Sequence, residues 1–90
     1  MTVNLYLVFD RNVVGLILLI YKEGEVISTD MKKVNRNYGT IKPVADKLLK
    51  AGILKNRKST KHSTKVIWEL TEYGKEIAVH LLEAEKRLNV

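Results

Sequence analysis

Residues 39–54 read GTIKPVADKLLKAGIL, and the pattern of this stretch decides the fold. Its apolar side chains recur every three or four residues, which is the spacing of one face of an α-helix. They are Ile41, Val44 or Ala45, Leu48 and Ala51. Thr40 can cap such a helix, which places Pro43 in the first turn, where the missing N–H of proline costs no hydrogen bond. Gly52 is typical of the position after the last turn. We therefore expect a helix over residues 38–51, with a polar and basic face opposite the apolar one.

The segments on either side of this helix predict a short helix before it and a hairpin after it. A brief helix is expected over residues 29–35, followed by a turn in which Asn35-Arg36-Asn37 supplies the typical residue types. After the helix, Val66, Trp68 and Leu70 alternate with Lys65, Ile67 and Glu69. Two strands around a tip rich in serine, threonine and lysine predict a β-hairpin over residues 53–70.

The two ends of the chain predict further helices. Asp10 is a suitable N-cap for a helix over residues 10–23, which is apolar on nearly every side, and Gly24 ends it. Thr71 is a suitable N-cap for a final helix over residues 71–88. The alternating residues 3–9 fit a short strand, and a helical extension also fits them. Ninety residues allow one core, so we expect residues 1–90 to form a single domain.

Charge is concentrated in the middle of the chain. Residues 32–65 contain eleven lysines and arginines and one acidic residue, Asp46, whereas the rest of the chain contains five basic and nine acidic residues. A phosphate backbone would relieve the repulsion within such a basic segment. The alternative is a solvated basic surface with no partner.

Several classes of function lack support in the composition. The chain has no cysteine and only two histidines, so we expect no metal site, and nothing indicates a cofactor. It has no nucleophile motif and no glycine-rich phosphate loop, and its carboxylates are scattered, which argues against an enzyme. The longest uninterrupted apolar run, residues 13–21, is shorter than the roughly 20 residues that span a membrane. We therefore expect an intracellular, cytoplasmic protein.

The order of the elements and two motifs carry a family resemblance. A short helix, a turn and a helix with one basic face, followed by a basic hairpin, describe a helix-turn-helix with a wing. Residues 29–74 resemble a winged helix-turn-helix domain of the MarR/ArsR/PadR-like superfamily. The helix ending formed by Leu48, Ala51, Gly52 and Ile53 is similar to that of the superfamily, and so is WELTEYG at residues 68–74.

The resemblance implies both a fold and a function. The fold would be α+β and mainly α, a winged helix-turn-helix with a two-stranded basic wing and a long C-terminal dimerisation helix. The function would be that of a homodimeric transcriptional regulator that binds double-stranded DNA sequence-specifically. Its source would be a bacterium, an archaeon or one of their viruses or plasmids, and neither a membrane nor a metal would be a partner. The alternatives are a winged helix used as a protein-interaction module, and an architectural or RNA-binding protein of low sequence specificity.

The resemblance also implies which residues contact DNA. Base edges would be read from the recognition helix by Tyr38, Thr40, Lys42, Pro43 and Lys47. Further contacts, mostly to phosphates, would come from Arg36, Asn37, Lys50, Arg57, Lys58, Lys61, His62 and Lys65. Asp46 either accepts from a cytosine amino group or pairs with Lys42 or Lys50. Trp68 is expected in the core because it is in phase with Val66 and Leu70.

The apolar residues of the last helix predict contact with a second chain. Ile77, Leu81, Ala84 and Leu88 are spaced by four, three and four residues, which is a coiled-coil-like seam. The apolar first helix also needs a cover, so we expect a homodimer interface that includes Leu16, Leu19, Ile77, Leu81, Ala84 and Leu88. The alternative is a last helix packed wholly within its own chain.

Overall fold

The computed structural model describes residues 10–59 and 65–88. Within them the element order is α1 (Arg11–Glu23), β1 (Glu25–Ile27), a 3₁₀ helix (Ser28–Lys33), α2 (Tyr38–Lys50), β2 (Leu54–Lys58), β3 (Val66–Leu70) and α3 (Glu72–Leu88). This order confirms the expected mainly helical α+β class. The short helix before α2 is a 3₁₀ helix rather than an α-helix. The strand expected over residues 3–9 and the tip of the hairpin lie outside the described residues.

Side-chain caps decide where the helices begin. As expected, Asp10 caps α1, because its Oδ1 accepts the backbone N–H of Asn12 at 2.8 Å. The expectation that Thr40 caps α2 is wrong. Asn37 is the N-cap, and its Oδ1 accepts the N–H of Gly39 at 3.0 Å. The helix therefore begins earlier than a Thr40 cap would allow, and Pro43 lies in its second turn. The reason is that asparagine is at least as good an N-cap as threonine.

The hairpin belongs to a three-stranded antiparallel sheet of order β1-β3-β2. The short strand β1, for which the sequence analysis predicted no element, pairs with β3. Because successive side chains of a strand point to opposite faces, the sheet has two different surfaces. The inner face carries the buried Val26, Leu54, Trp68 and Leu70. The outer face carries Glu25, Lys55, Arg57 and Glu69.

A single apolar core joins α1, α2, α3 and the inner face of the sheet. Trp68 is only 1% exposed, which confirms its expected place in the core. Its indole Nε1 donates to the Ser28 hydroxyl at 3.1 Å, so β3 is tied to the start of the 3₁₀ helix. Leu16 and Ile77, which the sequence placed at a dimer interface, are buried within the core of one chain.

The start of α3 is fastened to the segment that enters the hairpin. As expected, Thr71 caps this helix, because its hydroxyl oxygen accepts the N–H of Gly74 at 3.0 Å. The same hydroxyl donates to the carbonyl of Gly52 at 2.6 Å, and the Thr71 N–H donates to the carbonyl of Ile53 at 3.0 Å. No helix in residues 10–59 and 65–88 has the length and apolarity needed to cross a membrane.

Candidate nucleic-acid interface

Helix α2 presents one exposed stripe to solvent. Its apolar residues Ile41, Ala45 and Leu48 are fully buried and hold the helix against the core. On the opposite side, the side chains of four expected contact residues are exposed along successive turns. This exposed stripe of α2 consists of Thr40, Pro43, Lys47 and Lys50. The stripe is free of the core packing that fixes the other side of the helix.

The turn before α2 is held by asparagine side chains. Asn35 Oδ1 accepts the backbone N–H of Asn37 at 2.9 Å, and Asn35 Nδ2 donates to Asn12 Oδ1 of α1 at 3.3 Å. Asn37, an expected DNA contact, uses its side-chain oxygen to cap α2. Arg36 is exposed between the two asparagines. The turn thus fixes the start of α2 relative to α1 and leaves the arginine accessible.

Lys42 and Asp46 form an ion pair on the side of α2 that faces the hairpin. Lys42 Nζ lies 2.8 Å from Asp46 Oδ1 and 5.7 Å from the centroid of the Trp68 ring. Of the two alternatives for Asp46, the structure therefore shows the pairing with a lysine of the same helix. Lys42, an expected base reader, is turned toward the hairpin rather than along the exposed stripe of α2.

The two faces of the hairpin differ in the partners of their basic residues. On the outer face, Arg57 Nε lies 3.1 Å from Glu69 Oε1, and its Nη2 lies 3.0 Å from Glu25 Oε2. Lys55 Nζ lies 3.8 Å from the other oxygen of Glu69. The expected phosphate contact of Arg57 disagrees with this arrangement, because the guanidinium already joins two carboxylates on the face turned away from α2. Lys58 follows on the opposite, inner face and is exposed.

A cleft separates α2 from the hairpin and the 3₁₀ helix. Its volume is about 530 Å³, and its lining includes Ser28, Tyr38, Lys42, Asn56, Lys65 and Trp68. No carboxylate is found among the described residues that line it. Basic side chains from two separate elements therefore meet at one place, which we call the α2–hairpin cleft.

Asn56 and Ser28 are among the residues of this cleft that sequence reasoning missed. Asn56 stands directly opposite Trp68 in the pairing of β2 with β3, on the inner face of the sheet. The alternation of β3 places Trp68 on the inner face of the sheet. A predicted hairpin register that pairs Asn56 with Trp68 would therefore have placed Asn56 on the same face. For Ser28 the sequence carried no such signal, because its partner Trp68 is 40 residues away.

The remaining expected site residues lie elsewhere. Lys61 and His62 are outside the described residues, as is the side chain of Leu88. Leu81 packs against the core of its own chain, and Ala84 is exposed. Leu19 lines a second groove, of about 720 Å³, between α1 and α3, together with Leu18 and Leu82. The described part of the chain contains no group of three or more residues able to hold a metal ion.

Comparisons with known proteins identify the fold. No protein-family model matches the chain, and neither does any curated protein. The adhesin competence repressor AdcR of Streptococcus pyogenes superposes with a TM-score of 0.76 at 22% identity, over 89% of this chain and 60% of that one. NadR in complex with 4-hydroxyphenylacetate superposes with a TM-score of 0.82 at 17% identity, over 93% of this chain and 61% of that one. A transcriptional regulator homologue from Pyrococcus horikoshii OT3 superposes with a TM-score of 0.78 at 18% identity, over 92% of this chain and 84% of that one.

These similarities confirm the expected winged helix-turn-helix fold. In this fold α2 is the second helix of the helix-turn-helix, the position known as the recognition helix in winged helices that bind DNA, and the β2–β3 hairpin is the wing. The chain spans about three fifths of the length of AdcR and of NadR.

Proposed function

We propose that this chain is a double-stranded-DNA-binding protein that reads sequence and acts as a homodimeric transcriptional regulator. One observation carries the proposal: the recognition helix and the wing bring basic side chains to the two sides of one cleft. A helix fits a major groove about 12 Å wide, and an adjacent hairpin then reaches the neighbouring backbone. The similar structures described as a repressor and as a transcriptional regulator homologue support this function. Such a regulator acts in the cytoplasm of a prokaryotic cell and needs no catalytic step.

The exposed side chains divide into base readers and phosphate contacts. Thr40 and Lys47 project from the exposed stripe of α2 and would read base edges, and the ring of Pro43 would touch a thymine methyl group. Arg36 and Lys50 on the helix side would bind phosphates, and Lys58 and Lys65 would do so from the wing. The lysines of the wing position the protein, whereas the residues in the major groove supply sequence preference.

The proposal is tested by selecting bound fragments from a pool of random duplexes. We expect enrichment of a pseudo-palindromic motif whose half-sites lie about 34 Å apart, because two recognition helices of a dimer enter successive major grooves. A matched pool of RNA duplexes should show no enrichment, since the deep, narrow major groove of RNA excludes a helix. Uniform recovery of DNA fragments would instead favour an architectural protein of low specificity.

Neighbouring residues of β2 offer a matched pair for testing the wing. Lys58→Ala should reduce the slope of the logarithm of the binding constant against the logarithm of the salt concentration by about 1 per subunit, hence about 2 for the dimer. It removes one phosphate contact from each subunit without altering sequence preference. Arg57→Ala should leave this slope unchanged, since two carboxylates already neutralise the arginine. It should lower stability by no more than about 1 kcal/mol, the upper end for solvent-exposed ion pairs. Binding titrations over a salt series measure the slope, and thermal melts measure the stability. If Lys58→Ala and Arg57→Ala changed the slope equally, the assignment of phosphate contacts to the inner face of the hairpin alone would be wrong.

The groove between α1 and α3 supports the proposed homodimer. Leu18 and Leu82 are half-buried and line the groove, but neither belongs to the set packed against the core. Val79 and Tyr21, on the same two helices, each remain 40% exposed. A contiguous exposed apolar patch with polar residues at its rim is typical of an interaction site. We therefore place the contact with a second copy at this groove, with Leu19 contributing as expected from the sequence.

A charge placed in this groove should separate the subunits. We expect Leu82→Glu to convert a dimer into a folded monomer, because the carboxylate would have to lose its hydration when the apolar contact closes over it. His80→Glu places the same charge at an exposed position of α3 and should leave the dimer intact. Light scattering after size-exclusion chromatography gives the masses, and a monomeric parent protein would contradict the dimer.

A further inference from the structure

The ion pair of Lys42 raises a question that the proposed function leaves open. A lysine that reads guanine must project into the major groove, but Lys42 lies beside the exposed stripe of α2 and lines the α2–hairpin cleft. Its Nζ is held by Asp46 and lies over the Trp68 ring, whereas 37% of its side chain remains accessible to solvent. Its ammonium is therefore already within the cleft and accessible to a ligand that enters there.

We propose that the α2–hairpin cleft binds a phosphodiester group of one DNA strand, and that Lys42 exchanges Asp46 for this phosphate. The inference rests on the proposed function and names a ligand for a part of the surface that base reading does not use. When a helix lies in one groove and a hairpin reaches the next, the strand between the two grooves must pass between the two elements. In this protein the space between the two elements is the α2–hairpin cleft.

The chemistry of the lining fits a phosphodiester better than a base. Lys42 and Lys65 supply positive charge, Asn56 supplies an amide donor and Tyr38 a hydroxyl, and phosphate oxygens only accept hydrogen bonds. Trp68 offers no free face on which a base could stack, because it is 1% exposed and Lys42 lies over its ring. The volume of about 530 Å³ is within the usual range of small-ligand sites and is sufficient for a sugar-phosphate unit.

Asp46 acts against the bound phosphate in this arrangement. Its carboxylate lies 2.8 Å from the Lys42 ammonium and is 48% exposed, so it would repel an approaching phosphate and compete for the lysine. Asp46→Asn should therefore strengthen binding to all duplexes alike, by several-fold. If Asp46 instead read a cytosine amino group, the same substitution would relax the preference at one base pair and weaken binding to the selected site.

The position of Trp68 makes the exchange visible by spectroscopy. The chain contains one tryptophan, and the Lys42 ammonium lies 5.7 Å from its ring centroid. Addition of a short duplex to the full-length protein should change the tryptophan emission as the ammonium moves toward the phosphate. Lys42→Ala should remove this change and reduce the slope of the salt dependence by about 1 per subunit, hence about 2 for the dimer, with sequence preference retained. Lys47→Ala is the matched control: it should weaken binding but keep the emission change.

The outcomes separate this inference from the proposed function. Duplex binding without any change of emission, or a Lys42→Ala variant that alters preference at one base pair, would overturn the phosphate site and leave the regulator intact. A parent protein that binds no duplex would overturn the function itself. Inorganic phosphate that reproduces the emission change at matched ionic strength would assign the cleft to a free anion and overturn the commitment to a DNA strand. Asp46→Asn gives a second test, of opposite sign, that does not depend on the Lys42 variant being folded.

Discussion

Raising the salt concentration from about 50 to about 200 mM should weaken the binding of duplex DNA by about 10³–10⁵-fold. The physical reason is the release of counterions from the phosphates that lysine and arginine neutralise. Arg36, Lys50, Lys58 and Lys65, the proposed phosphate contacts, are all exposed. Contributed by two subunits, they are sufficient for the roughly 6–10 phosphate contacts on which this loss depends. Fluorescence anisotropy of a labelled duplex, titrated at several salt concentrations, measures it.

The slope of this salt dependence also tests which residues bind the backbone. For about 6–10 neutralised phosphates, log K should fall with log salt at a slope of roughly −5 to −9. The Arg57→Ala protein is the control, because its slope should equal that of the parent. Binding that is insensitive to salt would mean that the basic surface does not contact phosphates, and the proposed interface would then be wrong.

A single methyl group at Gly74 should destabilise the protein strongly. A Cβ at this position would overlap the carbonyl oxygen of Ile53, and it would also approach Leu70. The carbonyl is fixed backbone, since it accepts the N–H of Thr71 at 3.0 Å. We expect Gly74→Ala to reduce the free energy of unfolding by about 3 kcal/mol, the upper end for overpacking. In a domain of this size such a loss lowers Tm by more than about 12 °C.

Gly52→Ala is the matched control for Gly74. Gly52 has a φ of +76°, but a Cβ there would meet no atom within 4 Å. Its substitution therefore introduces only the left-handed backbone strain of a non-glycine residue, about 1–2 kcal/mol. Thermal melts followed by circular dichroism compare the two variants. A Gly74→Ala protein as stable as Gly52→Ala would show that α3 does not pack on the Ile53 carbonyl as tightly as the structure has it.

Much of the fold could be predicted because its signals are local. The three-to-four spacing of Ile41, Ala45 and Leu48 predicts one buried helix face, and that face is buried. The caps at Asp10 and Thr71 depend on backbone groups two or three residues away, so the sequence contains both partners. Local alternatives were harder to separate. Asn37 and Thr40 are both able to cap α2, and the turn that precedes the helix selects the first.

Much of the candidate site could not be predicted because its partners are distant in the chain. Arg57 meets Glu25 and Glu69, which are 32 and 12 residues away, so its charge looked available for DNA. Lys42 looked like a base reader until the wing placed Trp68 beside it. The three residues of β1 are too few to show a strand pattern in the sequence. They form a strand because they pair with β3.

The sequence by itself determined the helices, most of their ends, the inward side of β3 and the basic middle of the chain. Hydrogen bonds and side-chain periodicity within a few residues are enough for these features. The tertiary structure alone decided which basic side chains are free, which are paired with carboxylates, and that two of them meet in one cleft. Those features depend on how the sheet and the helices pack around a shared core, and that packing brings together residues whose separation in the chain carries no local signal.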